Sequence, residues 1–195
     1  MYIVLEGIDG AGKSTQTQLL EQYLTKKGYN TKKIVEPTTS SIGKLIRQQL
    51  TNPESTNDIN QQILTLLFAA DRLTLKKEIN EAKNTKEKII ISDRSFYSSI
   101  CYQNNPTITP EWVRLVNQHA PRPDLTILLD LTEKEAIKRC DKEEVFENTD
   151  FLEKTRKNYL NLLKTEEHIE VIDATQTLQE IQEKIIKTIN EKLGL

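Results

Sequence analysis

Gly7-Ile8-Asp9-Gly10-Ala11-Gly12-Lys13-Ser14 is preceded by the apolar run Tyr2-Ile3-Val4-Leu5 and followed by Thr15-Gln16-Thr17-Gln18-Leu19-Leu20. The pattern of Gly, four residues and Gly-Lys-Ser is that of a phosphate-binding loop. A polyphosphate needs several backbone N–H donors aimed at one point, so the chain must curl tightly. Gly7, Gly10 and Gly12 lack the Cβ that would obstruct the curl. A helix opening near Lys13 adds the positive end of its dipole. Lys13 has the reach for β- and γ-phosphates, and the Ser14 hydroxyl suits Mg²⁺. The pattern alone recurs by chance, but a strand before it and a helix after it are the context that gives it meaning. Both are written in the flanking residues. The nucleotide contacts expected are Gly7, Ile8, Asp9, Gly10, Ala11, Gly12, Lys13, Ser14 and Thr15.

Working outward, strand-like runs recur at Tyr2 to Glu6, Thr31 to Glu36, Lys88 to Asp93, Leu125 to Leu131 and Ile169 to Asp173. The third and fourth are dense in Ile and Leu with little alternation, which fits strands buried on both faces. Helical patterns fill the gaps. The order predicts an α/β fold, a doubly wound five-stranded parallel sheet flanked by helices with right-handed crossovers. Ligands gather at the carboxyl ends of such strands. There the sequence places the phosphate loop, Glu36-Pro37-Thr38 and Asp93-Arg94.

Ser41 is expected to cap a short helix through Arg47 and Leu50, ended by Thr51-Asn52-Pro53. A long helix follows, from Asp58 to Lys83. Its apolar stripe of Ile59, Ile63, Leu66, Leu67, Ala70 and Leu73 reads as core or a subunit contact. Phe68 and Arg72 lie four apart on a face offset from that stripe. Ser95 to Gln103 reads as helical, and Thr109-Pro110-Glu111 opens another helix with Pro in its first turn. Glu133 to Arg139, Asp150 to Lys164 and Leu178 to Leu193 complete the helices. Asp141 to Thr149 is polar, with no apolar period. Without an internal repeat or linker, residues 1–195 read as a single domain.

The chain has 195 residues, 29% charged and 36% hydrophobic, and a net charge of -2. That balance gives no broad field for nucleic acid or a membrane surface, so phosphate binding must rest on a few aimed basic residues. Cys101 and Cys140 have no metal or redox spacing, and His119 and His168 have no partner pattern. No apolar run approaches membrane-spanning length, and the cytoplasm is the expected compartment.

The residues resemble the thymidylate kinases, which belong to the nucleoside monophosphate kinases. The resemblance rests on Glu6 to Gln16, Glu36-Pro37, Gly43 with Ile46-Arg47, Phe68-Ala69-Ala70-Asp71-Arg72, Asp93-Arg94 with Ser98-Ser99, Tyr102-Gln103, Pro121 to Asp124, Phe146-Glu147, and Arg156 with Tyr159. It implies transfer of the γ-phosphoryl of ATP to dTMP with Mg²⁺, small-molecule partners only, and a homodimer. By the same resemblance Phe68 would stack on thymine and Arg72 would bond a thymine carbonyl. Gln103 would face the polar edge of the base, and Ser99 would belong to the same pocket. Tyr102 would sit under the deoxyribose. Arg47 and Arg94 would hold the acceptor phosphate, and Asp9 would bond the 3′-hydroxyl or orient the acceptor. Glu36 and Asp93 would order the acceptor side and the water shell of Mg²⁺, with Ser14 as the direct metal ligand.

The physics of phosphoryl transfer asks for such a set, because catalysis there is positioning plus charge stabilisation. One subset of the family carries an arginine in the phosphate loop; Gly10 stands there, so the extra cation is expected from a lid at about residues 140–149. The candidates are Arg139, Lys142 and Arg156. Val35 stands where the family usually has arginine, Ser95 where it has an aromatic residue or histidine, and Asn104-Asn105 where it has small residues.

Overall fold

The computed structural model describes residues 1–139 and 149–195. Strand β1 (Tyr2–Glu6) runs into the phosphate loop, and α1 (Lys13–Lys26) begins on the lysine itself. There follow β2 (Asn30–Val35), α2 (Ser41–Leu50), a short 3₁₀ turn (Pro53–Thr56), α3 (Asp58–Lys83) and β3 (Lys88–Asp93). Then come α4 (Phe96–Tyr102), α5 (Pro110–Val116), β4 (Leu125–Asp130), α6 (Glu133–Arg139), α7 (Thr149–Leu162), β5 (Ile169–Asp173) and α8 (Leu178–Leu193). The five strands form one sheet in the order β2-β3-β1-β4-β5, and every pairing is parallel. β1 is therefore central, with β3 and β4 as its neighbours.

The alternation of a strand sends Ile3 and Leu5 to one face of the sheet and Tyr2 and Val4 to the other. Ile3 and Leu5 join a large core with Leu20 and Leu24 of α1 and Ile181, Ile185 and Ile189 of α8. Tyr2 and Val4 pack with Ile34, Ile90 and, from α3, Ile79 and Ala82. Both faces are covered, as the uninterrupted Ile and Leu runs require.

Several expectations are corrected in detail. β2 ends at Val35 and β4 at Asp130, each one residue early, and the helix expected over 150–164 is Thr149–Leu162. Ser40, not Ser41, caps α2: its Oγ accepts a bond from the Gly43 N–H at 3.0 Å, and Ser41 is already helical. Gly43 is where α2 crosses the preceding loop; a Cβ built there would lie 2.0 Å from the Thr38 carbonyl oxygen. Most of the stripe on α3 is not core, Leu67 and Ala70 being half-buried. Ile59, Ile63, Leu66 and Leu73 are 69, 43, 50 and 44% exposed, whereas Leu64, Ala69, Ile79 and Ala82 are buried.

Candidate active site

The site lies at the carboxyl ends of β1 and β3, and backbone bonds fix its frame. The Arg94 N–H donates to Leu5 O at 3.0 Å and the Glu36 N–H to Asp93 O at 3.1 Å. Arg94 has φ 77°, a left-handed conformation that turns the chain out of β3. Gly7, with φ 146°, sits against β4: a Cβ there would meet Leu129 O at 2.6 Å. The Lys13 ammonium lies inside the loop, donating to Ile8 O at 2.9 Å, with the Asp9 carboxylate 3.9 Å away. Lys13 is buried, and burial together with neighbouring Arg94 lowers its pKa to about 8. The Ser14 hydroxyl donates to Asp93 Oδ2, joining the first turn of α1 to the end of β3. Thr15 is exposed.

Beside the loop is a cavity of about 210 Å³. Helix α3 lays Gln61, Leu64, Phe68 and Arg72 along one wall, at spacings of three and four that keep them on one face. Pro37 and Leu50 line it from the β2 side, and Tyr102 and Phe151 from the other. The Arg72 guanidinium stands 5.5 Å from the Phe68 ring centroid. Arg72 makes no surface pair with its neighbour Asp71, which instead binds Thr38 and Ser40. Its Nε donates to Glu36 Oε2 at 2.5 Å, Nη1 to Asn117 Oδ1 at 2.9 Å, and Nη2 to Ser95 O at 3.1 Å and Ser99 Oγ at 2.9 Å. Among the described residues, four of the five guanidinium N–H groups are thus taken, and one Nη1 N–H remains. Burial pushes the Glu36 carboxyl up to about 7, against the pull of Arg72.

Gln103 is 4% exposed and lines the same cavity. Neither its Nε2 nor its Oε1 bonds to any described residue. A buried amide with both a donor and an acceptor unpaired is costly, and a ligand in the cavity would satisfy it.

Asp9, Arg94 and Tyr102 form the junction between loop and cavity. Arg94 Nη2 donates to Asp9 Oδ1 and, at 3.1 Å, to the Tyr102 hydroxyl oxygen, and Nη1 donates to Ser98 Oγ at 3.0 Å. The Tyr102 hydroxyl donates to Asp9 Oδ2 at 2.9 Å. Burial alone would raise the Asp9 carboxyl, but Arg94, Lys13 and Tyr102 outweigh it and hold it below the usual carboxylate range. Arg47 is exposed and does not line the cavity; its guanidinium donates to the carbonyls of Thr38 (2.6 Å) and Pro37, the latter a lining residue.

The three basic residues expected near the transferring phosphates separate. Arg156 donates through Nε and Nη2 to the two oxygens of Asp130, at 2.6 and 2.8 Å, so its fork is committed at the end of β4. Arg139 ends α6 and donates to Ala174 O, just past β5, at 3.1 Å. Lys142, with Cys140, Phe146, Glu147 and the rest of the expected lid up to 148, lies outside the described residues.

Asn117 had no signal in the sequence, and Glu6 stood at the head of the phosphate-loop motif without an assigned role. Asn117 holds Arg72 from the end of α5, a position no spacing rule marks. Glu6 is a carboxylate 1% exposed at the end of β1. Its Oε1 accepts from both N and Oγ of Ser95, at 2.8 and 2.7 Å. Ser95, where an aromatic ring or histidine was expected, is therefore used for its hydroxyl. It also caps α4, accepting from the Tyr97 N–H at 3.3 Å.

Comparison with known proteins places the chain in a family. The thymidylate kinase family model matches residues 5–185. A probable thymidylate kinase of Methanosphaera stadtmanae is 63% identical over the whole of both chains. One from Methanobrevibacter smithii is 45% identical over all of this chain and 97% of its own. Among solved structures, thymidylate kinase from Candida albicans superposes with a TM-score of 0.82 at 28% identity, covering 97% of this chain and 91% of that one. With the family model spanning nearly the whole chain, and full-length relatives this similar, the chain belongs to the thymidylate kinase family, whose reaction is the ATP-dependent phosphorylation of dTMP.

Proposed function

We propose that the chain transfers the γ-phosphoryl of ATP to dTMP, with the phosphate loop holding the donor and the cavity beside it the acceptor. The observation that carries the acceptor assignment is the unpaired Gln103 amide lining the same cavity as Arg72, which keeps one N–H free among the described residues. A thymine edge offers carbonyl oxygens flanking an N–H, which are the complements of those groups. Phe68 supplies the flat apolar face for the ring, and Ser99 fixes Arg72. Cytosine would turn an amino donor toward a donor and leave buried groups unpaired, a mismatch worth a large factor in specificity. A coupled assay across nucleoside monophosphates tests this. Turnover with dTMP and little with dCMP is expected; no turnover with dTMP would overturn the assignment.

Asp9 and Tyr102 take the deoxyribose, Asp9 as acceptor for the 3′-hydroxyl. Arg94 and Arg47 take the acceptor phosphate, Arg47 by leaving the carbonyls it now rests on. Glu36 orders the acceptor side by fixing Arg72. Gly7 to Thr15 cradle the donor, with Lys13 between the two polyanions. Ser14 and Asp93 form an all-oxygen pair that fits Mg²⁺, a hard cation bound by one or two protein oxygens plus phosphates and water. A Mg²⁺ held by Ser14 and Asp93 would supply charge neutralisation for the donor phosphates. Arg139 and Lys142 are assigned to the donor side, Lys142 from the lid. Arg156 secures α7 through Asp130.

The low pKa of Lys13 gives a pH signature. Phosphate oxygens favour the protonated lysine, so above pH 8 ATP binding takes up a proton. Affinity is expected to be flat below that value and to fall about tenfold per pH unit above it. Calorimetry in buffers of different ionisation enthalpy reads the uptake; affinity unchanged to roughly pH 9.5 would refute it.

The chain is further assigned as a cytoplasmic homodimer that uses no nucleic acid. Among the described residues no helix is long and apolar enough to cross a membrane. Ile59, Ile63, Leu66 and Leu73 leave one apolar face of α3 open, and Leu45 of α2, on the helix packed beside it, is 41% exposed. Leu66→Asp places a charge at the centre of that face and is expected to shift the light-scattering mass from twice the chain value to 22.5 kDa. A dimer retained by this variant would exclude the α3 face.

A further inference from the structure

Glu6 is a buried carboxylate that the reaction does not directly use. Its four donors among the described residues are all neutral: Ser95 N and Oγ on Oε1, and on Oε2 the hydroxyls of Ser98 (2.7 Å) and Tyr159 (2.8 Å). Because Ser98 and Tyr159 both donate to Oε2, the 3.0 Å approach between their own oxygens carries no proton. Ser98 Oγ then has its lone pairs free, and it accepts from Arg94 Nη1. On the other branch, Ser95 is pinned by Glu6 at both N and Oγ, and its carbonyl accepts from Arg72 Nη2. Each branch therefore ends, one residue on, at an arginine of the acceptor site. Burial disfavours the Lys13 and Arg94 cations, and Glu6 is among the charges that oppose this.

We propose that Glu6 is a positioning residue for the acceptor side: it fixes the proton direction of Ser98 so that Arg94 is held toward the phosphate position, and it sets the Ser95 carbonyl that orients Arg72. This rests on the assignment of the cavity to dTMP. A negative acceptor is required. In Glu6→Gln the amide oxygen stays toward the Ser95 N–H. The Nε2 then donates to Ser98 and Tyr159, so both hydroxyls must turn their protons away from Glu6. The Ser98 proton then competes with Arg94 for the same direction.

The test is titration of the full-length protein with dTMP and, separately, with ATP, for wild type, Glu6→Gln, Ser98→Ala and the double variant. Folded Glu6→Gln is expected to bind dTMP about tenfold more weakly and ATP within about twofold of wild type. Ser98→Ala is expected to move dTMP binding in the same direction. The double variant should lose less than the two single losses combined, because one chain of bonds is cut twice. A folded Glu6→Gln with unchanged dTMP affinity would overturn the proposal, as would equal losses for dTMP and ATP, the mark of a merely structural role. If Glu6→Gln does not fold, Ser98→Ala decides: selective loss of dTMP binding supports the link and no loss overturns it. Wild type that binds no dTMP would remove the cavity assignment itself, a result distinct from any behaviour of the variants.

Discussion

Lys13→Ala is expected to lower turnover by about a thousandfold while the protein stays folded. The ammonium is buried in the curl of the loop, where water does not screen it, and on the proposed assignment it stands between the two polyanions. Removing one such preorganised group costs about 4 kcal/mol of transition-state stabilisation, a factor of about 10³ in rate. The fold should not suffer, because its lowered pKa shows that the free protein pays for burying this cation. Melting temperature and single-turnover rate measured together separate the two effects. Turnover within tenfold of wild type would show that Lys13 is not the cation between the phosphates.

The second large effect is expected at Arg72. Arg72→Lys keeps a positive charge but replaces a planar fork with one ammonium, which cannot hold Glu36, Asn117, Ser95 and Ser99 at once. Affinity for dTMP should fall by about a hundredfold and ATP affinity by no more than about threefold, measured by calorimetry with each ligand alone. Arg72→Ala goes further and leaves Glu36 in its buried site without a cation, a loss typically of about 3–5 kcal/mol in stability. Glu36, already shifted to about 7, would take up a proton to relieve it. The lysine variant is therefore the better probe of recognition. Equal loss of both ligands in Arg72→Lys would contradict its place in the base pocket.

The strand–loop–helix of residues 2–20 was legible because its signals are local: a β run, glycines where the backbone curls, and a lysine at the helix start. The long helix and β3 fall on the expected residues, Asp58–Lys83 and Lys88–Asp93, because strong periodicity and Ile density leave little choice of boundary. The cap of α2 was misplaced by one residue because Ser40 and Ser41 carry the same chemistry, and only the backbone decides which oxygen meets the Gly43 N–H. The fate of the α3 stripe was beyond sequence reasoning. Periodicity shows that Ile59, Ile63 and Leu66 share a face, but not that the sheet packs against a different one.

The sequence by itself determined that a phosphate-loop pattern follows β1, that a parallel sheet carries it, and which residue types stand at the strand ends. Those properties follow from spacing within single elements. Tertiary structure alone decided the partners: Arg72 with Glu36 and Asn117, Arg156 with Asp130, and Glu6 with Ser95 and Ser98. These contacts join residues from 26 to 92 positions apart. A buried charge takes whatever donors the packed elements bring to it, and no pattern along the chain records which those will be.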